Sequence, residues 1–129
     1  MAERGYTHVT VIPLFASKSL SAGETGTSGI IDLREQAQRW VFSLDHSNAA
    51  GTSTTCGTTV FTYVGASDRD GSFVTPVGGF AIGTSGPAIA GKIASFSPAL
   101  VPFIKIVATQ TGADTKGANS KVTASLIVQ

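Results

Sequence analysis

The sequence predicts an all-β fold, an antiparallel β-sandwich of about eight short strands in jelly-roll or Greek-key order. Short segments rich in apolar and β-branched residues recur at spacings near the roughly 8–12 residues that such folds use. Connections rich in Gly, Ser, Thr and Pro separate them, and the crossover helices that a parallel sheet needs are missing. The 129 residues suit one domain, 1–129, in which residues 1–10 could form an extended N-terminal arm.

The strongest strand signal lies at residues 103–109. This segment is apolar and largely β-branched except for Lys105, which is typical of a mostly buried strand. Pro98 and Pro102 lie in the segment that leads into this strand. Each proline removes a backbone donor and restricts φ, so that segment is expected to be neither a helix interior nor a central strand. We therefore expect 103–109 to be a central strand of the core.

The other elements follow from alternation and from turn residues. In chain order, further strands are expected at 6–15, 30–33, 40–45, 58–64, 73–75, 78–82, 89–96 and 121–129. Connections are expected at 16–29, with a short strand near Leu20, and at 46–51, 83–87 and 112–119, with a turn or single helical turn at 34–39. Pro13 places the first strand at a sheet edge or marks its end.

Two strands alternate clearly enough to predict core residues. Trp40, Phe42 and Leu44 share one face, with Ser43 and Asp45 on the other. In the last strand Val122, Ala124, Leu126 and Val128 should face inward, and Lys121, Thr123 and Ser125 outward.

Residues 67–71 are of types that are common in turns, and their Asp-Gly pair predicts a type I′ hairpin turn.

Composition limits the classes of partner. Charged residues make up only 13% of the chain and the formal net charge is +1, so the surface should be neutral and rich in hydroxyl groups. Such a surface offers no broad field for nucleic acid, and it suggests burial in an assembly. No apolar segment approaches the roughly 20 residues of a membrane span, and the N-terminus lacks the apolar region of a signal peptide. We expect a protein made in the cytoplasm, with no nucleic-acid or membrane partner.

Few residues could carry chemistry. His8, His46 and Cys56 do not have the short pair spacings of zinc sites, and a single cysteine excludes an intrachain disulfide. Asp45 and His46 lack a nucleophile elbow, and neighbours on a strand point to opposite faces. The acidic turn at 68–71 lacks the later ligands of a calcium loop. We therefore predict no catalytic, metal or cofactor site and no enzymatic activity.

A family resemblance rests on three segments: Ser28-Gly29-Ile30-Ile31-Asp32-Leu33, Asp70-Gly71-Ser72-Phe73 and the aromatic-proline crossing at 96–106. With the low charge and the short strands, they resemble the small accessory virion proteins of tailed bacteriophages, in particular head decoration (cement) proteins. The resemblance implies a location on the capsid exterior, the major capsid protein as partner and a homo-oligomer, either a dimer or a trimer. No functional residue is carried over from it.

Two further functions remain open. One is a carbohydrate- or receptor-binding β-sandwich of a phage tail or fibre, which would present exposed aromatic side chains. The candidates are Tyr6, Trp40, Tyr63 and Phe73, although Trp40 shares a strand face with Phe42 and is better explained as core. The other is a small hydrolase whose activity would depend on His46.

Overall fold

The protein folds as two antiparallel β-sheets packed face to face, as seen in a computed structural model that describes residues 10–21, 23–36, 42–50, 58–76, 82–85, 92–96, 101–111 and 120–128. The prediction of an all-β sandwich is therefore confirmed. Of the predicted N-terminal arm, residues 1–9 lie outside the described ranges. In the part of the chain that the structure describes, no helix has the length and apolar character needed to cross a bilayer.

Nine strands and one short helical turn make up the described fold. The strands are β1 (Thr10–Leu20), β2 (Thr25–Thr27), β3 (Ile31–Asp32), β4 (Phe42–Ala50), β5 (Thr58–Ala66), β6 (Gly83–Ser85), β7 (Lys92–Phe96), β8 (Phe103–Thr111) and β9 (Ser120–Val128). A 3-10 helix, Leu33–Gln36, follows β3 and agrees with the single helical turn expected there.

The strand order is that of a jelly roll. The first sheet has the order β1-β9-β4-β7, and the second has the order β2-β8-β5-β6, with β3 also pairing with β8. If β2 and β3 are counted as one interrupted strand, the first strand pairs with the last, the second with the last but one, and so on inward to β5 and β6. This nested pairing defines two Greek keys wrapped into a sandwich, so of the two predicted connection orders the jelly roll is the one observed.

The strand predicted to be central is central in the second sheet. β8 pairs along its whole length with β5, from Phe103↔Ala66 to Thr111↔Thr58, and on its other side with β2 and β3. Its inward residues Ile104, Ile106 and Ala108 are fully buried. Its alternation explains why Lys105 interrupts the apolar run: Lys105 faces outward, with Nζ 4.3 Å from the centroid of the Phe73 ring.

The core lies between the sheets and draws on both. The predicted inward residues Val122, Ala124, Leu126 and Val128 of β9 are buried, as are Phe42 and Leu44 of β4, while Trp40 lies outside the described residues. From the second sheet Phe61, Tyr63, Ile104 and Ile106 complete the same cluster. The rings of Tyr63 and Phe96 lie 6.1 Å apart and join the two sheets directly.

Several predicted boundaries are wrong, and cross-strand pairing explains each. β4 does not end at Asp45 but continues through the predicted loop at 46–51 to Ala50, because β9 pairs with it up to Ala50↔Ser120. β1 runs past residue 15 to Leu20 as the edge strand that Pro13 predicts, with irregularities between Pro13 and Phe15 and between Phe15 and Lys18. β2 forms within the predicted connection at 16–29.

The region between β5 and β7 also differs from the prediction. A short strand lies at Gly83–Ser85, inside the predicted 83–87 connection, because it pairs with the start of β5; residues 78–81 of the predicted strand are outside the described ranges. At 73–75 only Val74 forms an isolated bridge, with Gly65. The predicted strand at 89–96 is described from Lys92 onward as β7.

The acidic turn after β5 forms, but not as predicted. The N–H of Gly71 donates to the carbonyl of Asp68 (3.0 Å), which makes Arg69 and Asp70 the central residues of the turn. In the described chain only Ser17 and Gly23 have positive φ, so the type I′ prediction is wrong. Asp at the first position and Gly at the fourth are instead typical of a type I turn.

Candidate functional site

Polar side chains occupy one end of the sandwich interior. His46 and Asn48 of β4, Thr59 of β5 and Gln110 of β8 are each less than 2% exposed, and together they form the set we call the polar core. Each lies on the inward face of its strand, in phase with apolar neighbours such as Leu44, Phe61 and Ala108. Asn48, Thr59 and Gln110 lie toward the end of the sandwich where β4 leads to β5 and β8 leads to β9, and His46 lies at the middle of β4.

Two contacts of the polar core are well defined, one within the second sheet and one from His46 to an aromatic ring of the opposite sheet. Thr59 Oγ1 donates a hydrogen bond of 2.9 Å to Gln110 Oε1, between strands that are neighbours in the second sheet. The imidazole ring of His46 lies 4.6 Å from the ring of Phe61, across the gap between the sheets. Gln110 Nε2 is buried without a hydrogen-bond partner among the described residues.

The electrostatics of this region favour a neutral imidazole. Burial lowers the pKa of His46 below its ordinary value of 6.5, and the positive charge of Lys92 lowers that pKa further, while Asp45 acts in the opposite direction. Asp45 and His46 point to opposite faces of β4, one exposed and one buried, so they do not form an acid–base pair. Within the described ranges, no group of three or more His, Cys, Asp or Glu residues could hold a metal ion.

The remaining candidates from the sequence do not assemble into a described site. His8, Cys56, Tyr6 and Trp40 lie outside the described residues. Tyr63, proposed as an exposed aromatic platform, is 5% exposed and packs in the core against Phe96, so that interpretation is wrong.

Sequence reasoning missed Asn48, Thr59 and Gln110 as a group. Strand alternation could have identified Gln110 as an inward residue, since it points to the same face of its strand as Ile104, Ile106 and Ala108. The prediction misses Gln110 and Asn48 because it ends β8 at residue 109 and β4 at residue 45.

A second feature lies on the outside of the first sheet. Its outward side chains are mostly hydroxyl-bearing or aliphatic, and we call them the hydroxyl face: Val11, Pro13, Ser19, Ser43, Asp45, Ser47, Ile93, Ser95, Lys121, Thr123, Ser125 and Ile127. Cross-strand pairing sets them in rows, one of which runs from Val11 through Ile127 and Ser43 to Ser95. Ser43 Oγ and Ser95 Oγ lie 3.2 Å apart within that row.

The hydroxyl face combines exposed apolar groups with few charges. Val11 is 57% exposed and Ile93 is 67% exposed, and the charged members of the face are Asp45 and Lys121, whose Nζ donates to Ser19 Oγ at 2.6 Å. A surface of this composition can be buried against a partner with little cost for desolvating charges.

The outside of the second sheet is partly covered by the chain itself. The Arg34 guanidinium, which is bound to Asp32 at 2.9 Å, lies 4.7 Å from the centroid of the Phe103 ring. Phe73 lies against Lys105 further along the same side. Among the described residues, the hydroxyl face has no contact comparable to these two.

Comparison with known proteins adds no relative. No protein-family model matches the chain, and no curated protein is similar to it at a significant level. Function is therefore inferred from the fold and its surfaces.

Proposed function

We propose that this protein is a structural component of a tailed-bacteriophage virion, a decoration (cement) protein. In this role it binds the outer surface of the capsid and stabilises the shell by bridging subunits of the major capsid protein. Binding places it on the virion after synthesis in the host cytoplasm, and no catalysis is involved.

The observation that carries the proposal is the hydroxyl face. It presents exposed apolar side chains, Val11 and Ile93, among serine and threonine hydroxyls, and its charges are limited to Asp45 and Lys121. A single contact of this kind is weak, but a shell offers many equivalent sites, and linked copies gain affinity through effective concentration.

The jelly-roll order is compatible with the proposal and also with its main alternative. Jelly rolls occur in viral capsid domains and in lectins, so the fold alone does not choose between them. A carbohydrate- or receptor-binding module of a phage tail would need an exposed aromatic platform. Burial of Tyr63 removes one predicted member of that platform, which leaves the capsid-binding role better supported.

The proposal is tested by binding to shells. Heads assembled from the major capsid protein encoded nearest the gene for this chain, and lacking this chain, are mixed with the purified protein and sedimented. We expect the protein to sediment with the heads and to reach a saturating number of copies per head. Protein that stays in the supernatant at all concentrations contradicts the proposal.

Matched substitutions test which surface binds. Ser43→Lys places an unpaired charge at the centre of the hydroxyl face and should weaken binding about tenfold or more. Thr62→Lys places the same charge on the outside of the second sheet, at another half-buried position, and should leave binding nearly unchanged. Equal losses for the two variants would contradict a role for the hydroxyl face.

A further inference from the structure

The sandwich has four sheet edges, and they differ in how well they are protected. In the first sheet the edge strands are β1 and β7; in the second they are the β2–β3 pair and β6. An edge strand exposes a row of backbone N–H and C=O groups that another strand can pair with, so proteins usually block such edges with proline, bulges, charges or very short strands.

Three of the edges carry such protection. β1 contains Pro13, two irregularities in register and Ser17 with a φ of 48°. β6 has three residues, and the other edge of that sheet is divided between β2, also of three residues, and β3, of two. None of these offers a long regular ladder to an incoming strand.

β7 is the exception. Its register with β4 is continuous from Phe42↔Phe96 to His46↔Lys92, without a bulge or a proline. Among the described strands it pairs only with β4. Of its two outward residues, Ile93 is 67% exposed, more than Val11 or Val74, the other large exposed hydrophobic residues of the described chain. Lys92, at the end of the strand, is the one protective feature of this edge, and the remaining four residues carry no charge.

We propose that β7 is the homodimerisation edge of this protein, and that it pairs antiparallel with β7 of a second copy about a two-fold axis at Ala94. In this register Ile93 lies opposite the partner's Ser95, and Lys92 lies opposite the partner's Phe96. The two Lys92 side chains then sit at opposite ends of the ladder, about 13 Å apart along the strand at roughly 3.3 Å per residue. No like charges face each other across the seam.

The pairing joins two sheets into one. Directly opposite residues in an antiparallel pair point to the same face, so the two hydroxyl faces become one continuous surface with Ile93 near its middle.

A ladder of five residues is short, and we expect a dissociation constant in the micromolar range or weaker. The inference concerns the free protein and is measured without any capsid, so its failure is distinguishable from failure of the capsid-binding proposal.

The experiment changes the charges of the side chains that would face each other across the two paired β7 strands. In the Cys56→Ser background, which prevents disulfide-linked species, sedimentation velocity is recorded at protein concentrations up to several hundred micromolar. We expect the parent to approach a mass of about 26 kDa, twice the 13.1 kDa of one chain. Ile93→Lys with Ser95→Lys sets two lysines opposite two lysines across the seam and should keep the protein monomeric.

Two further samples separate loss of pairing from loss of folding. The variant with Ile93→Glu and Ser95→Glu should also be monomeric alone, but an equimolar mixture with the lysine variant should recover the dimer, because each Lys then faces a Glu. Val11→Lys with Thr123→Lys adds the same charge to the same sheet away from β7 and should dimerise as the parent does. A monomeric parent, a lysine variant that still dimerises, or a mixture that stays monomeric would overturn the proposal.

Discussion

The imidazole ring of His46 lies 4.6 Å from the phenyl ring of Phe61, in the space between the two sheets. His46 comes from β4 of the first sheet and Phe61 from β5 of the second, and both are buried. A titratable ring therefore occupies a place in the core that an apolar side chain would normally fill, and this makes the sandwich sensitive to pH.

The first prediction concerns that sensitivity. Burial lowers the pKa of His46 below 6.5, so the unfolded chain takes up a proton at a higher pH than the folded protein does. Stability should be fully present above about pH 6.5 and should fall as the pH drops below it, by at most about 1.4 kcal/mol per pH unit. Urea denaturation between pH 7.5 and pH 5 measures this slope.

The variant His46→Gln provides the comparison for that slope. It removes the titrating group, so its free energy of unfolding should change less steeply over the same pH range, whatever its absolute value. Parallel profiles for the parent and the variant would mean that His46 does not titrate differently on folding.

The second prediction concerns the hydrogen bond from Thr59 Oγ1 to Gln110 Oε1. Thr59→Val removes the donor and leaves a buried amide oxygen without it, which should lower the free energy of unfolding by about 1–3 kcal/mol. Adding Gln110→Leu to Thr59→Val replaces both partners with apolar groups and should recover much of the loss. A double variant less stable than Thr59→Val alone would contradict this account.

The third prediction concerns Gly65, which has no room for a side chain. A Cβ atom at this position would lie 2.8 Å from Cγ2 of Val101, so Gly65→Ala should cost about 1–3 kcal/mol through overpacking. Gly29→Ala is the matched control, because a Cβ atom at that position would have no heavy atom within 4 Å. Thermal unfolding should show a clearly larger drop for Gly65→Ala; equal drops would argue against close packing of Val101 on β5.

The fourth prediction tests the assignment of faces on β9. Leu126 is fully buried and its neighbour Ile127 faces outward. Leu126→Ala should destabilise the protein by about 2–5 kcal/mol, because it leaves a cavity in the core. Ile127→Ala should cost markedly less, and the reverse order would mean that the strand is shifted by one residue.

Much of this fold could be predicted because alternation is a local property. The predicted inward positions of β9 and of the first half of β4 are correct, since apolar and polar residues alternate from Phe42 to Asp45 and from Lys121 to Leu126. The predicted central position of β8 is also correct, because a segment with so few polar residues is typical of a strand that is covered on both faces.

The errors arose where pairing with a distant strand overrides local composition. His46, Asn48 and Ala50 belong to β4 because β9 pairs alongside them, although polar and small residues such as these usually indicate a loop. For the same reason the polar core could not be anticipated as a group, since β4, β5 and β8 bring its members together only in the folded sandwich.

We propose that the protein binds a capsid through its hydroxyl face. The most direct measurement is an electron cryomicroscopy reconstruction of heads with and without the added protein. We predict regular extra density on the outer surface of the shell, with Ser43 and Ser125 of each bound copy turned toward the major capsid protein. Identical reconstructions, or copies bound through the outside of the second sheet around Thr62, would contradict the claim.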